Sequence, residues 1–162
     1  MLKLDHGPDL GFKTDDSPIK YYPAYLRYTG NVYSSAEIAE SYHKVRSLRL
    51  NIVSALYGLL DGDDLIRCYD LSMNSILPNG TKVKTWWKRR GLGSIVEEYI
   101  RGVKPELVHD FLSGPYRDAL QPWPPNSLYA LLKIHEYPGE GSGSSWSRGK
   151  EIKILIETNS NN

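Results

Sequence analysis

The run Leu48 to Ala55 limits what this chain can become more than any other stretch. Leu48, Leu50, Ile52 and Val53 make a short, largely aliphatic segment of strand length. Turn residues at Gly58 and Asp61-Gly62-Asp63 stop it. A strand apolar on both faces needs cover on both, so helices are sought around it. Upstream, Ser34-Ser35-Ala36-Glu37 has the spacing of a capping box and predicts a helix to about Arg46. Downstream, Lys82 to Arg101 is helical in character but broken by Gly91 and Gly93, which predicts two helices meeting at a bend, the second capped by Ser94 and Glu97. Glu106 to Leu112 alternates as a second strand, Ser113-Gly114-Pro115 turns the chain, and Tyr116 to Leu120 forms a short helix. Trp123-Pro124-Pro125 is a rigid connector, and Ser127 to His135 is apolar without a decided type. Glu140 to Ser147 is a glycine-serine loop, and Glu151 to Glu157 alternates as a last strand with one wet face. The expectation is an α/β or α+β fold, a single layered domain over residues 23–157 with a mixed central sheet flanked by helices. An irregular arm over residues 1–22 precedes it and a disordered tail over 158–162 follows.

Composition narrows the function. An apolar content of 40% over 162 residues fills one core. Twenty basic residues against nineteen acidic ones leave a net charge of +1, so a polyanionic partner must be held by a local patch. The lone Cys68 excludes an internal disulfide framework and a multi-cysteine metal site. No leader and no apolar run of the roughly 18 residues a span requires is visible, so a soluble, cytoplasmic chain without a membrane partner is expected. His6, His43, His109 and His135 lack ligand spacing, and neither a metal nor a cofactor is expected.

The cationic tract Lys82-Val83-Lys84-Thr85-Trp86-Trp87-Lys88-Arg89-Arg90 is the candidate nucleic-acid-binding element, with DNA the favoured partner. Lys82, Lys84, Lys88, Arg89 and Arg90 would neutralise phosphates, and Trp86 or Trp87 would offer a stacking face. A solvated helix face with one tryptophan buried behind it explains the same residues. Gly91-Leu92-Gly93 also has the form of a turn whose amides meet a phosphate. A second candidate gathers around strand ends, where α/β ligands lie. Ser54, Tyr57, Gly58, Tyr69 and Asp70 follow the first strand, and Ser113 and Tyr116 the second. If those strands are neighbours, they converge with Tyr28, Thr29, Gly30 and Arg148 on a pocket for a small nucleobase-like ligand. In the enzymatic alternative Asp70 and Ser113 are the catalytic residues. Ser113 with His109 and Asp110 lacks the glycine-framed elbow of a hydrolase nucleophile.

The order and spacing of these blocks resemble a known family. Tyr28-Thr29-Gly30-Asn31-Val32-Tyr33, a helix, Ser54-Ala55-Leu56-Tyr57-Gly58-Leu59-Leu60 and Tyr69-Asp70-Leu71-Ser72-Met73 resemble the YaaA-like peroxide-stress proteins. Cys68 stands where that family usually has proline. Thr85-Trp86-Trp87 is similar to its Phe-Trp helix, Leu112-Ser113-Gly114-Pro115-Tyr116 to its later Ser-x-x-Tyr element, and Ser147-Arg148-Gly149 to its closing Arg-Gly element. The resemblance implies a role in lessening oxidative DNA damage, a link to lowered free iron, and DNA binding through an N-terminal helix-hairpin-helix. Residues 1–24 of this chain lack the apolar strand and Pro-Ala-Lys turn that open that region in the family.

Overall fold

A computed structural model describes residues 21–45, 47–137 and 142–160. Strand β1 (Tyr22–Pro23) leads into helices α1 (Ala24–Arg27), α2 (Asn31–Ala36) and α3 (Ile38–Ser41), closed by a 3-10 turn over Tyr42–Lys44. Strands β2 (Asn51–Ser54), β3 (Gly58–Asp61) and β4 (Leu65–Ile66) follow. Then come α4 (Val83–Arg89), α5 (Leu92–Val103), β5 (Val108–Asp110), α6 (Gly114–Leu120), a 3-10 turn over Asn126–Leu128, β6 (Leu132–Ile134) and α7 (Ser142–Ser160).

The fold is a mixed α/β one, as the alternation of segments implies. Among the described residues its strands form three two-stranded sheets: β1 with β4 antiparallel, β2 with β3, and β5 with β6 parallel. The expected central sheet is thus distributed over separate pairs. The chain divides into two compact units. Among the described residues, one unit is Val53–Leu59 with Asp70–His135, and the other is residues 21–52, 60–69 and 136–160.

In the first unit, α5 buries Leu92, Val96 and Ile100, one residue per turn of one helix face, alongside Met73, Val83, Ala119, Leu120 and Leu128. The two glycines before it divide the work. Gly91 holds φ +75°, a left-handed conformation that breaks α4 from α5 where a bend is expected. Gly93 lies so close to α6 that a Cβ would overlap the Leu120 carbonyl oxygen. Packing therefore accounts for Gly93, and the second helix starts at Leu92, before the expected cap at Ser94.

In the second unit, Ala36, Ile38, Val45 and Ile156 form a buried cluster packed by Tyr25, Tyr33, Tyr42, Leu48, Leu50 and Ile152. Helices α2 and α7 touch through Gly149, where a Cβ would overlap Ser35 Oγ and the Val32 carbonyl oxygen. Three expectations change here. The capping-box serines lie inside α2, which begins at Asn31, and Ser34 Oγ donates back to the Thr29 carbonyl at 2.8 Å. Glu37, in the left-handed region at φ 52°, ends α2 well short of Arg46. The strand expected over Glu151 to Glu157, and the described parts of the loop expected over Glu140 to Ser147 and of the tail expected over 158–162, are helical instead: α7 runs from Ser142 to Ser160. Ile152 and Ile156 share the buried face while Ile154 between them is 62% exposed, so the Ile-x-Ile alternation is accidental and the helical period is the one that packs. Thr158, Asn159 and Ser160 each bond to the carbonyl four residues back. The arm expected over residues 1–22 falls outside the described residues up to residue 20, and Tyr22 itself pairs with Ile66.

The segment after the first strand is also regular. Gly58 was expected to end a strand; at φ +80° it opens β3 and completes a hairpin with β2.

Candidate functional site

The basic tract folds as α4. Lys82 precedes the helix, Lys84, Lys88 and Arg89 lie along it, and Arg90 closes it by donating its N–H to the Trp86 and Trp87 carbonyls. No acidic residue occurs from Lys82 to Arg90. Lys82, Lys88, Arg89 and Arg90 are exposed, whereas Lys84 is half-buried and its Nζ donates to Asp118 Oδ2 of α6 at 2.7 Å. A shallow cleft of about 200 Å³ lies between the two helices, lined by Lys84, Thr85, Lys88, Asp118 and Gln121. Sequence reasoning missed Asp118 and Gln121. Asp118 lies on α6 and Gln121 is the residue just after its end, and no local pattern marks either.

The two tryptophans separate into different roles. Trp87 Nε1 donates to the Ala55 carbonyl at 2.8 Å, and its ring packs against Gly58, where a Cβ would lie 2.9 Å from Cη2. Trp87 thus serves the hairpin turn. Trp86 stands edge-on to it with ring centroids 4.8 Å apart, and the Arg90 guanidinium lies 5.1 Å over the Trp86 ring. Of the pair, Trp86 carries the cationic surface.

The other residues singled out from the sequence divide between the units. In the first, Ser54 is buried and its Oγ accepts from the Leu56 and Tyr57 amides at 3.2 and 3.0 Å, shaping the hairpin turn. Tyr57 and Tyr116 are half-buried, Gly58 is under Trp87, and Asp70 is exposed. Ser113 precedes α6, and its carbonyl accepts from Tyr116 and Arg117. Strand β2 pairs with β3 and β5 with β6, so the neighbouring strands that would join Ser54 and Tyr57 to Ser113 and Tyr116 through one sheet are absent among the described residues. The Asp110 carboxylate is buried and accepts from the Leu112 amide at 2.8 Å, Trp123 Nε1 at 2.9 Å and Arg117 at 3.4 Å. His109 Nδ1 lies 2.9 Å from His135 Nε2, with Phe111 stacked on both rings. Those partners hold His109 and Asp110 away from a triad with Ser113.

In the second unit, the Tyr28 and Tyr69 hydroxyls are 2.7 Å apart, and the Tyr28 ring stacks on Tyr33. Thr29 and Gly30 form the exposed connection into α2. Arg148 is buried under Tyr137, its guanidinium 4.9 Å from the ring centre. Burial pushes the Tyr137 phenol up, and its hydrogen bond to Glu151 and the charge of that carboxylate push it further. Burial, and then the charges of Asp61 and Asp63, also raise Tyr42. Among the described residues no three of His, Cys, Asp or Glu are grouped to hold a metal ion, and no helix is long and apolar enough to cross a membrane.

A family model described as "Peroxide stress protein YaaA" matches residues 9–139. Among curated proteins, a UPF0246 protein of Shewanella halifaxensis is 28% identical over 90% of this chain and 60% of its own length. A UPF0246 protein of Aliivibrio fischeri is 26% identical over 74% of this chain and 52% of its own. The chain therefore spans about half to three fifths of the relatives it matches. No solved structure matches. With most of its length under that one model, including the hairpin, the basic helix and the segment to β6, the chain belongs to the family of the peroxide stress protein YaaA.

Proposed function

We propose that this chain is a cytoplasmic peroxide-stress protein that holds nucleic acid, DNA by preference, on the exposed face of α4 and so limits oxidative damage to it. One observation carries the reading: four exposed cations and a fifth paired with Asp118 lie within nine residues that contain no carboxylate, in a chain whose net charge is only +1. Basic side chains on such a face neutralise phosphates and release the counterions condensed on the nucleic acid, so affinity arises from charge density and falls with salt. Trp86, carrying Arg90, offers the flanking surface on which a base can stack.

The test is a titration of intrinsic tryptophan fluorescence with a short duplex and a single strand across a salt series. Replacing Lys88, Arg89 and Arg90 with alanine removes three exposed charges. If each makes one phosphate contact, the slope of log affinity against log salt on duplex falls by about 2.7, at about 0.9 per contact. An unchanged slope, with the fold intact by circular dichroism, removes α4 from the interface.

A further inference from the structure

Twelve tyrosines against two phenylalanines are costly to explain by core packing alone, because each carries an oxidisable hydroxyl. In the second unit three of them meet. Tyr28 lies at the end of α1, in the connection 28–30, and its ring stacks on Tyr33 of α2 with centroids 5.2 Å apart and planes 22° apart. The Tyr69 hydroxyl shares a hydrogen bond with that of Tyr28 at 2.7 Å, so the Tyr28 ring is tethered at its oxygen while its face lies on Tyr33. All three rings are half-buried, open enough for a small oxidant and enclosed enough to stay together.

We propose that Tyr28 and Tyr33 are an oxidative modification site: under a one-electron oxidant they couple to an intramolecular dityrosine. Two hydroxyl radicals formed from peroxide each take one hydrogen atom, from the Tyr28 and Tyr33 hydroxyls, and leave as two waters. The two phenoxyl radicals carry spin on the ring carbons beside the hydroxyl. A carbon–carbon bond forms between one such carbon of each ring, and the two ring hydrogens move to the oxygens to restore both phenols. Two hydrogen atoms are lost and two oxidising equivalents are consumed. Tyr69 is a positioning residue, holding the Tyr28 oxygen.

Geometry separates this pair from its nearest rival. Tyr25 and Tyr42 have centroids 5.4 Å apart, but their planes are tilted by 50°. Gly62 covers one coupling carbon of Tyr42: a Cβ at residue 62 would stand 3.0 Å from Cε1 and from Cζ. The Tyr28–Tyr33 pair is the one that meets face to face, beside the exposed Thr29-Gly30 connection.

The site uses no residue of the basic helix, so its test is independent of nucleic-acid binding. The full chain, dilute enough to suppress dimers, is treated with hydrogen peroxide and ferrous iron and digested with trypsin. Residues 28–44 form one tryptic fragment that contains Tyr28, Tyr33 and Tyr42. The expected product is that fragment lighter by two hydrogens, with dityrosine fluorescence, its fragmentation joining Tyr28 to Tyr33. Tyr33→Phe keeps a stacked ring and the fold while abolishing the product, Tyr42→Phe retains it, and treatment in urea loses the selectivity. Persistence of the lighter fragment in Tyr33→Phe, cross-linking of Tyr28 to Tyr69 instead, or oxygen addition alone overturns the proposal.

Discussion

Replacing Gly58 with alanine tests the account of why Trp87 belongs to the hairpin. Two independent costs meet at this residue. At φ +80° an L side chain is in the left-handed region, which costs about 1–2 kcal/mol. The added Cβ would also stand 2.9 Å from Trp87 Cη2 and 3.2 Å from Cζ3, and the indole is not free to retreat, because its Nε1 is anchored on the Ala55 carbonyl at 2.8 Å. Moving the ring therefore adds an overpacking cost of about 1–3 kcal/mol. The sum is roughly 2–5 kcal/mol, a large part of the ~5–15 kcal/mol that keeps a domain folded. At about 2–4 °C per kcal/mol for a chain of this size, the midpoint of thermal unfolding falls by roughly 4–20 °C. Gly80→Ala is the control: it has φ +78° with nothing within 4 Å of its Cβ, so it bears the backbone cost alone. Urea unfolding followed by tryptophan fluorescence reads both. If the two alanine variants lose the same stability within about 0.5 kcal/mol, the indole contact is not energetically real and the reasoning fails. Combining Gly58→Ala with Trp87→Phe should cost less than the sum of the two, because the smaller ring vacates the space into which the added Cβ is forced.

Other outcomes follow from the same reading. Gly149→Ala should destabilise by about 2 kcal/mol or more, since its Cβ would overlap both Ser35 Oγ and the Val32 carbonyl oxygen between α2 and α7; a variant with native urea midpoint would refute that close approach. The raised phenols of Tyr137 and Tyr42 hold their protons more tightly folded than unfolded, so their contribution is fully present below the unfolded tyrosine value near ~10 and is lost as pH rises through the folded one. Stability should thus decline with rising pH above that value, less steeply in Tyr137→Phe, and equal slopes in the two proteins would sink the assignment. The salt slope of the Lys88, Arg89 and Arg90 variant and the Tyr28–Tyr33 cross-link are the two functional tests.

What could be read from residues depended on how local its cause is. The α4 and α5 pair with a bend at Gly91 was legible because a left-handed glycine and a one-per-turn aliphatic stripe are both local. The cationic run was legible for the same reason. The helical nature of Ile152 to Ile156 was not, because Lys-Ile-Leu-Ile scans equally as a strand until Ala36 and Val45, far away in the chain, select the face that is buried. Ser34 and Ser35 matched a cap by spacing, yet Gly30 started the helix earlier. In the candidate site, the pairing of Lys84 with Asp118 and the anchoring of Trp87 on Ala55 join residues 34 and 32 positions apart, and no window of sequence contains both partners.

The two compact units are interleaved along the chain, and this has a consequence for biosynthesis. The larger stretch of the first unit, Asp70–His135, is continuous and leaves the ribosome as one piece. The second unit includes α2 near its start, yet the helix that packs on α2, α7, is synthesised after that whole stretch. Closing so distant a contact is entropically slow, so the second unit must wait with its tyrosine-rich face unsealed while the first matures. Nascent chains stalled after His135 should accordingly be protease-resistant in the first unit and sensitive in residues 21–52, a sequence of events imposed by connectivity rather than by the strength of either core.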